Sequence, residues 1–221
     1  MTQIENELEA AEKKRRLKKT VFAMLLGGVV GFLGSFGLMQ LADSGALGSL
    51  DASREIAALV GMLYVVTAAA IGFGLMSPTA GAKFLNVEDP EELREQKGML
   101  GNSALGMATA GVALMVLAIA APAGPIGQGA ALAVFAVLML VAVITSIASM
   151  KKQDELMKAV GSEAGAMTYY LLLLVGGTWS LLAHLGFIAG PQPLDWLTMF
   201  WALMLLGAFI VTAKRGMLTM R

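Results

Sequence analysis

Cysteine is absent from this chain of 221 residues, and histidine occurs once, at His184. The first absence excludes disulfides and thiolate metal sites. The second leaves no pair of imidazoles for a haem or a catalytic metal. Charge is scarce as well: Asp, Glu, Lys and Arg make up 14% of the residues, where a soluble domain carries about 25%. Basic and acidic residues number 16 each, so no excess of positive charge offers a surface to nucleic acid. A phosphate-cradling G-x-x-x-x-G-K run is missing too. No cofactor and no metal is expected from these residues.

What remains is apolar. Hydrophobic residues are 57% of the chain and the mean hydropathy is +0.73. A helix crosses the hydrocarbon core with about 18 or more apolar residues. Six runs qualify: 20–42, 55–76, 98–121, 127–149, 165–188 and 193–213. The third and fourth are parted by "PAGPIGQG" and the fifth and sixth by "GPQPLD", where proline and glycine break any continuous helix. Two longer polar connections remain, near 77–97 and 150–164.

Lysine and arginine collect on the cytoplasmic side of membrane proteins, and their placement tests the count. With six crossings, both termini and both polar connections share one side. Of the 16 basic residues, all but Arg54 then fall there, from the "KKRRLKK" cluster at 13–19 to Arg221. An odd number of helices would spoil the asymmetry. The fold class expected is therefore an all-α membrane protein of six transmembrane helices as three hairpins, N-in and C-in. Residues 1–19 form a basic cytoplasmic segment, and 20–221 a single transmembrane domain. A basic stretch before an apolar run could also be a secretory signal, with "SGA" at Ser44–Ala46 as a processing site. The run exceeds the usual signal core of about 7 to 15 residues, and it is read as a retained first helix.

Each hairpin follows an acidic segment. "EELREQKG" at 91–98 aligns without gaps on "DELMKAVG" at 154–161. Either a hairpin unit is duplicated or short charged helix starts look alike; the residues leave both open. In "EDPEELREQ", Asp89 can cap, Pro90 suits the first helical position, and Glu91 and Glu92 favour the positive end of the helix dipole. Such segments are read as solvated lead-ins to the crossings.

Within the first apolar run, Gly27, Gly31 and Gly34 share one face at 100° per residue. Each glycine costs an isolated helix in water about 1 kcal/mol relative to alanine. In lipid, where helices associate through close packing, small residues let two backbones approach. These three are the candidate packing residues, within the chain or against a second copy. "GNSALGMATAG" at 101–111 offers a similar run, with Asn102, Ser103 and Thr109 able to bond across helices.

The central portions of the spans hold no Asp, Glu, Lys or Arg, so the usual mark of a proton relay or ion path is missing. Backbone groups at glycine-interrupted helices could still bind ions or solutes; Gly72, Gly74 and "VGGTWS" at 175–180 are such places. A polar cavity, if one forms, would be lined by Asn102, Thr109, Thr178, Ser180 and His184. His184 lies near the outer end of the fifth span and is read as interfacial. Ser35 at comparable depth supplies the other half of a serine–histidine dyad, but a second histidine and an oxyanion-site asparagine are missing. Tyr169 and Tyr170 are expected at the inner surface and Trp196 at the outer one, with Trp179 and Trp201 packed inside the bundle.

With "DELMKAVGSEAG" at 154–165, followed by a two-helix hairpin ending in "TAKRG", the chain resembles small uncharacterised bacterial inner-membrane proteins that carry an Asp-Glu pair, a later Glu-Ala and then a helical hairpin. The resemblance covers about residues 153–215. It implies a bacterial inner membrane and brings no activity or site residue. The function expected is a non-enzymatic accessory or structural component of a membrane assembly, whose partners are the bilayer and other membrane proteins or a second copy. The alternative is a small transporter or permease for an uncharged or lipid-like solute.

Overall fold

A computed structural model describes residues 28–29, 31–37, 39–41, 43–45, 47, 50–76, 81 and 90–217. Five helices in it are long and apolar enough to cross a membrane: α1 (Ala52–Met76), α2 (Pro90–Ala118), α3 (Gln128–Met150), α4 (Glu155–His184) and α5 (Pro193–Lys214). Among the described residues there is no β-strand. The first apolar run, 20–42, lies partly outside the described residues; those described between 31 and 41 are helical.

Local chemistry sets the helix ends. The Asp51 carboxylate accepts the Arg54 amide at the start of α1 (3.0 Å), and Asp154 accepts that of Met157 at the start of α4 (2.7 Å). Pro90 opens α2 with Glu91 and Glu92 in its first turn. Gln192 and Asp195 cap α5 reciprocally around Pro193. Two helices end on glycine in the left-handed region: Gly186 after α4 (φ 81°) and Gly216 after α5 (φ 70°). There the amides of Phe187 and Met217 reach back to Leu182 and Thr212 carbonyls.

α2 begins at Pro90 rather than 98, and α4 at Glu155 rather than 165. Their polar lead-ins and apolar spans are single helices, because Pro90 with Glu91 and Glu92 starts α2 and the Asp154 cap starts α4, and no proline intervenes.

α2 packs most extensively on α1 and then on α3; α5 packs on α4 and, less widely, on α1. The sequence neighbours α2–α3 and α4–α5 are hairpins, and α5 joins the second hairpin to the rest. The tightest crossing lies between α1 and α2. A Cβ on Gly61 would stand 2.6 Å from the Gly111 carbonyl oxygen, and one on Gly111 would stand 2.5 Å from that of Gly61. Ala57, Ala58, Leu114 and Ala118 are fully buried beside this crossing, with Leu194, Leu197 and Trp201 packed on them. Large apolar side chains such as Phe73 and Phe209 point outward, which suits a surface covered by lipid.

Candidate functional site

Polar contacts between helices fall in three layers. At one end of the bundle, Ser53 at the start of α1 donates to Asp195 at the start of α5 (2.5 Å). The neighbouring Arg54 guanidinium donates to the Ala118 and Ala120 carbonyls (3.0 and 2.6 Å). The Ala118 carbonyl closes α2 and lacks a helical donor, while that of Ala120, just beyond, also accepts the Gly124 amide (3.1 Å). Arg54 thereby also places positive charge at the negative end of the α2 dipole.

In the middle layer, Tyr64 of α1 donates its hydroxyl to the Trp201 carbonyl of α5 (2.8 Å), and the Trp201 indole donates to the Ala110 carbonyl of α2 (3.1 Å). Nearer the opposite end, the Ser103 and Ser149 hydroxyls bond to each other (2.7 Å), and Ser149 also donates to the Met99 carbonyl (3.1 Å). Gly106 lets α3 approach there: a Cβ on it would lie 3.0 Å from Thr145 Oγ1. Gly207 of α5 similarly makes room for Thr168 of α4, and Gly176 of α4 for the Trp196 ring.

The opposite end carries Arg94 and Lys97 of α2, Lys151 and Lys152 after α3, and Lys214 and Arg215 at the end of α5. Arg215 grips Glu163 through Nε and Nη2 (3.0 and 2.6 Å). Those hydrogen bonds hold the Glu163 carboxyl below the usual carboxylate range; desolvation opposes them, and the charges of Arg215 and Lys214 add smaller contributions in the same direction as the hydrogen bonds.

The residues singled out from sequence are distributed among these layers. Gly27 lies outside the described residues. A Cβ on Gly31 would meet nothing within 4 Å, while one on Gly34 would lie 2.9 Å from Met62 Sδ of α1. Ser103 does bond across helices, but Thr109 donates within its own helix to Leu105 and Gly106 carbonyls (2.9 and 3.1 Å). Asn102 is half-buried on α2; Thr178 and His184 are exposed on α4, and Ser180 is half-buried there.

At about 1.5 Å rise per residue, Asn102 lies about 24 Å along α2 from Ala118, whereas Thr178 and Ser180 lie within about 9 Å of the end of α4 at His184. The two ends face the same side of the bundle, so these five residues are spread through its thickness. Because α5 is the main neighbour of α4, the structure does not gather them around one space. Trp201 packs inward as expected, Trp196 stands near the start of α5, and the Trp179 indole donates to the Ala189 carbonyl (2.9 Å).

Sequence reasoning missed Gly61 with Gly111 as a reciprocal pair, the Tyr64–Trp201 link, and the Arg54 contact. Signals existed for the first and the last, since Gly111 closes the small-residue run at 101–111 and Arg54 is the one basic residue that the six-span reading puts on its side. Among the described residues every buried side-chain nitrogen and oxygen has a hydrogen-bond partner, and no three acidic or histidine side chains converge on a metal-sized site. No known protein family, curated protein or solved structure matches the chain.

Proposed function

We propose that the protein is a non-enzymatic accessory or structural component of a membrane assembly, crossing a bacterial inner membrane six times with both termini in the cytoplasm. The observation that carries this reading is the exposure of α3 and α4, each of which has one main neighbour among the described helices. α4 has one main neighbour, and its side chains Tyr169, Tyr170, Leu173 and Leu174 all point away from the bundle. The interior, by comparison, is closed by small residues and satisfied hydrogen bonds. A bundle whose described helices are satisfied inside, and which leaves one side of α3 and of α4 uncovered by them, suits a protein that works by contact with another membrane protein or a second copy.

Native mass spectrometry of the protein, extracted from its own membrane in mild detergent, tests this reading. A reproducible stoichiometric protein partner, or a defined self-oligomer, is the expected result. A lone chain holding a defined non-protein solute would refute it and favour transport; Asn102 and His184 would then be the first residues to replace.

A further inference from the structure

At the basic end of the bundle, α2 and α3 meet where Gly98 faces Lys152. A Cβ on Gly98 would stand 2.6 Å from Lys152 Nζ. The ammonium group therefore lies against the α2 backbone, in the space a side chain would take. The Lys152 amide is bonded to the Ser149 carbonyl (2.9 Å), which fixes the residue at the end of α3. Lys97 precedes Gly98, and Lys151 precedes Lys152.

The three lysines share one depth. With about 1.5 Å of rise per residue, Lys97 lies about 31 Å from Ala118 along α2, and Lys151 about 34 Å from Gln128 along α3. Both lengths match a hydrocarbon core of about 30 Å, which places the ammonium groups at the level of lipid phosphates. Glu91 and Glu92 lie about 8 to 9 Å further out along α2. Glu95 is closer but forms no ion pair with any of the three lysines. Two other cations at this end are engaged, Lys158 with Glu155 and Arg215 with Glu163, while Arg94 and Lys214 form no ion pair among the described residues. Below Lys151 on the same face of α3, Ile147 and Ile144 are exposed and offer a path for acyl chains.

We propose that Lys152, seated at Gly98, and Lys97 and Lys151, which precede the two in the chain, bind the phosphate of an anionic phospholipid headgroup. The ligand is a lipid rather than free phosphate because the cations sit at headgroup depth beside an exposed apolar track. Gly98 leaves the seat that the Lys152 ammonium takes, and a large side chain there would push that flexible group aside.

The test uses the full chain in detergent, titrated with phosphatidylglycerol or with phosphatidylcholine of the same acyl chains, and read by thermal shift and by native mass spectrometry of retained lipid. Phosphatidylglycerol is expected to raise Tm more and to stay bound. Replacing the lysines with glutamine is expected to weaken its apparent affinity about fivefold per lysine, while Lys158→Gln leaves it unchanged. Gly98→Leu, which alters no charge, is expected to weaken it too. If the triple variant does not fold, Lys152→Gln and Gly98→Leu carry the test alone. Equal response to the two lipids, or unchanged phosphatidylglycerol binding in those variants, overturns the proposal. So does inorganic phosphate that stabilises the protein as well as the lipid does.

Discussion

Alanine at Gly111 tests the closest helix crossing with the smallest possible side chain. Its Cβ would stand 2.5 Å from the Gly61 carbonyl oxygen and 2.8 Å from Tyr64 Cβ, where ordinary contact begins at 3.4 Å. Neither neighbour is the free end of a flexible side chain. The helices must therefore part by about 0.9 Å, and gaps of about 0.5 to 1 Å forfeit a quarter to a half of the dispersion attraction along the seam. Overpacking of this kind costs about 1 to 3 kcal/mol. In lipid no hydrophobic gain from burial offsets it, since tails are as apolar as the side chains.

Unfolding by denaturing detergent in mixed micelles measures that cost. Gly72→Ala is the internal control: it lies on α1, and nothing stands within 4 Å of its Cβ, so it is expected to be neutral or slightly stabilising. The crossing is reciprocal, which adds a second requirement. Once Gly61→Ala has separated the helices, Gly111→Ala has less left to displace, and the double variant must cost less than the sum of the single ones. Equal stability of Gly111→Ala and Gly72→Ala, or strict additivity of the pair, would refute the packing account.

Three further outcomes follow from hydrogen bonds between helices. Tyr64→Phe removes one donor to the Trp201 carbonyl and is expected to cost about 0.6 kcal/mol, and no more than about 1.7 kcal/mol, in the same unfolding assay. Arg54→Ala strips the Ala118 and Ala120 carbonyls of charge-assisted donors and is expected to cost about 1 to 3 kcal/mol; amide exchange should rise at the end of α2 and leave the α4–α5 hairpin untouched. The Glu163–Arg215 pair gives a pH dependence. Because the folded-state pKa of Glu163 is depressed, chiefly by hydrogen bonds from Arg215, its contribution is present above the ordinary carboxylate pKa and lost as pH falls through the folded value. The Tm difference between wild type and Glu163→Gln should therefore close in acid, and a difference that persists there would assign it to packing.

Five of the six expected spans match long apolar helices, and they were legible because their signal is local. Length and hydropathy mark each span, and the caps at Asp154, Pro90 and Pro193 depend on residues within one turn. Helix packing is not local, and the glycines show why. Gly27, Gly31 and Gly34 form a regular small-residue face, yet a Cβ on Gly31 meets open space, while the close backbone approach of α1 and α2 falls at Gly61 and Gly111. Periodicity reports that a helix has a flat side; only the partner's own small residue, here Gly111, decides whether a backbone arrives there. The paired segments 91–98 and 154–161 make the same point with leucine. Leu93 is 1% exposed and Leu156 53% exposed, although the two occupy matching positions.

The scatter of the candidate polar residues has the same origin. A hydroxyl or amide in a membrane helix needs an acceptor, and its own backbone supplies one at the preceding turn, as Thr109, Thr145, Thr168 and Thr198 all use. A polar side chain in an apolar span is thus satisfied without any partner helix, so its presence carries little information about a cavity. Serine 103 and Ser149 are informative because they bond to each other across α2 and α3, which requires both helices to hold register at that point. Polar residues paired between helices, rather than polar residues as such, mark where this bundle is specified.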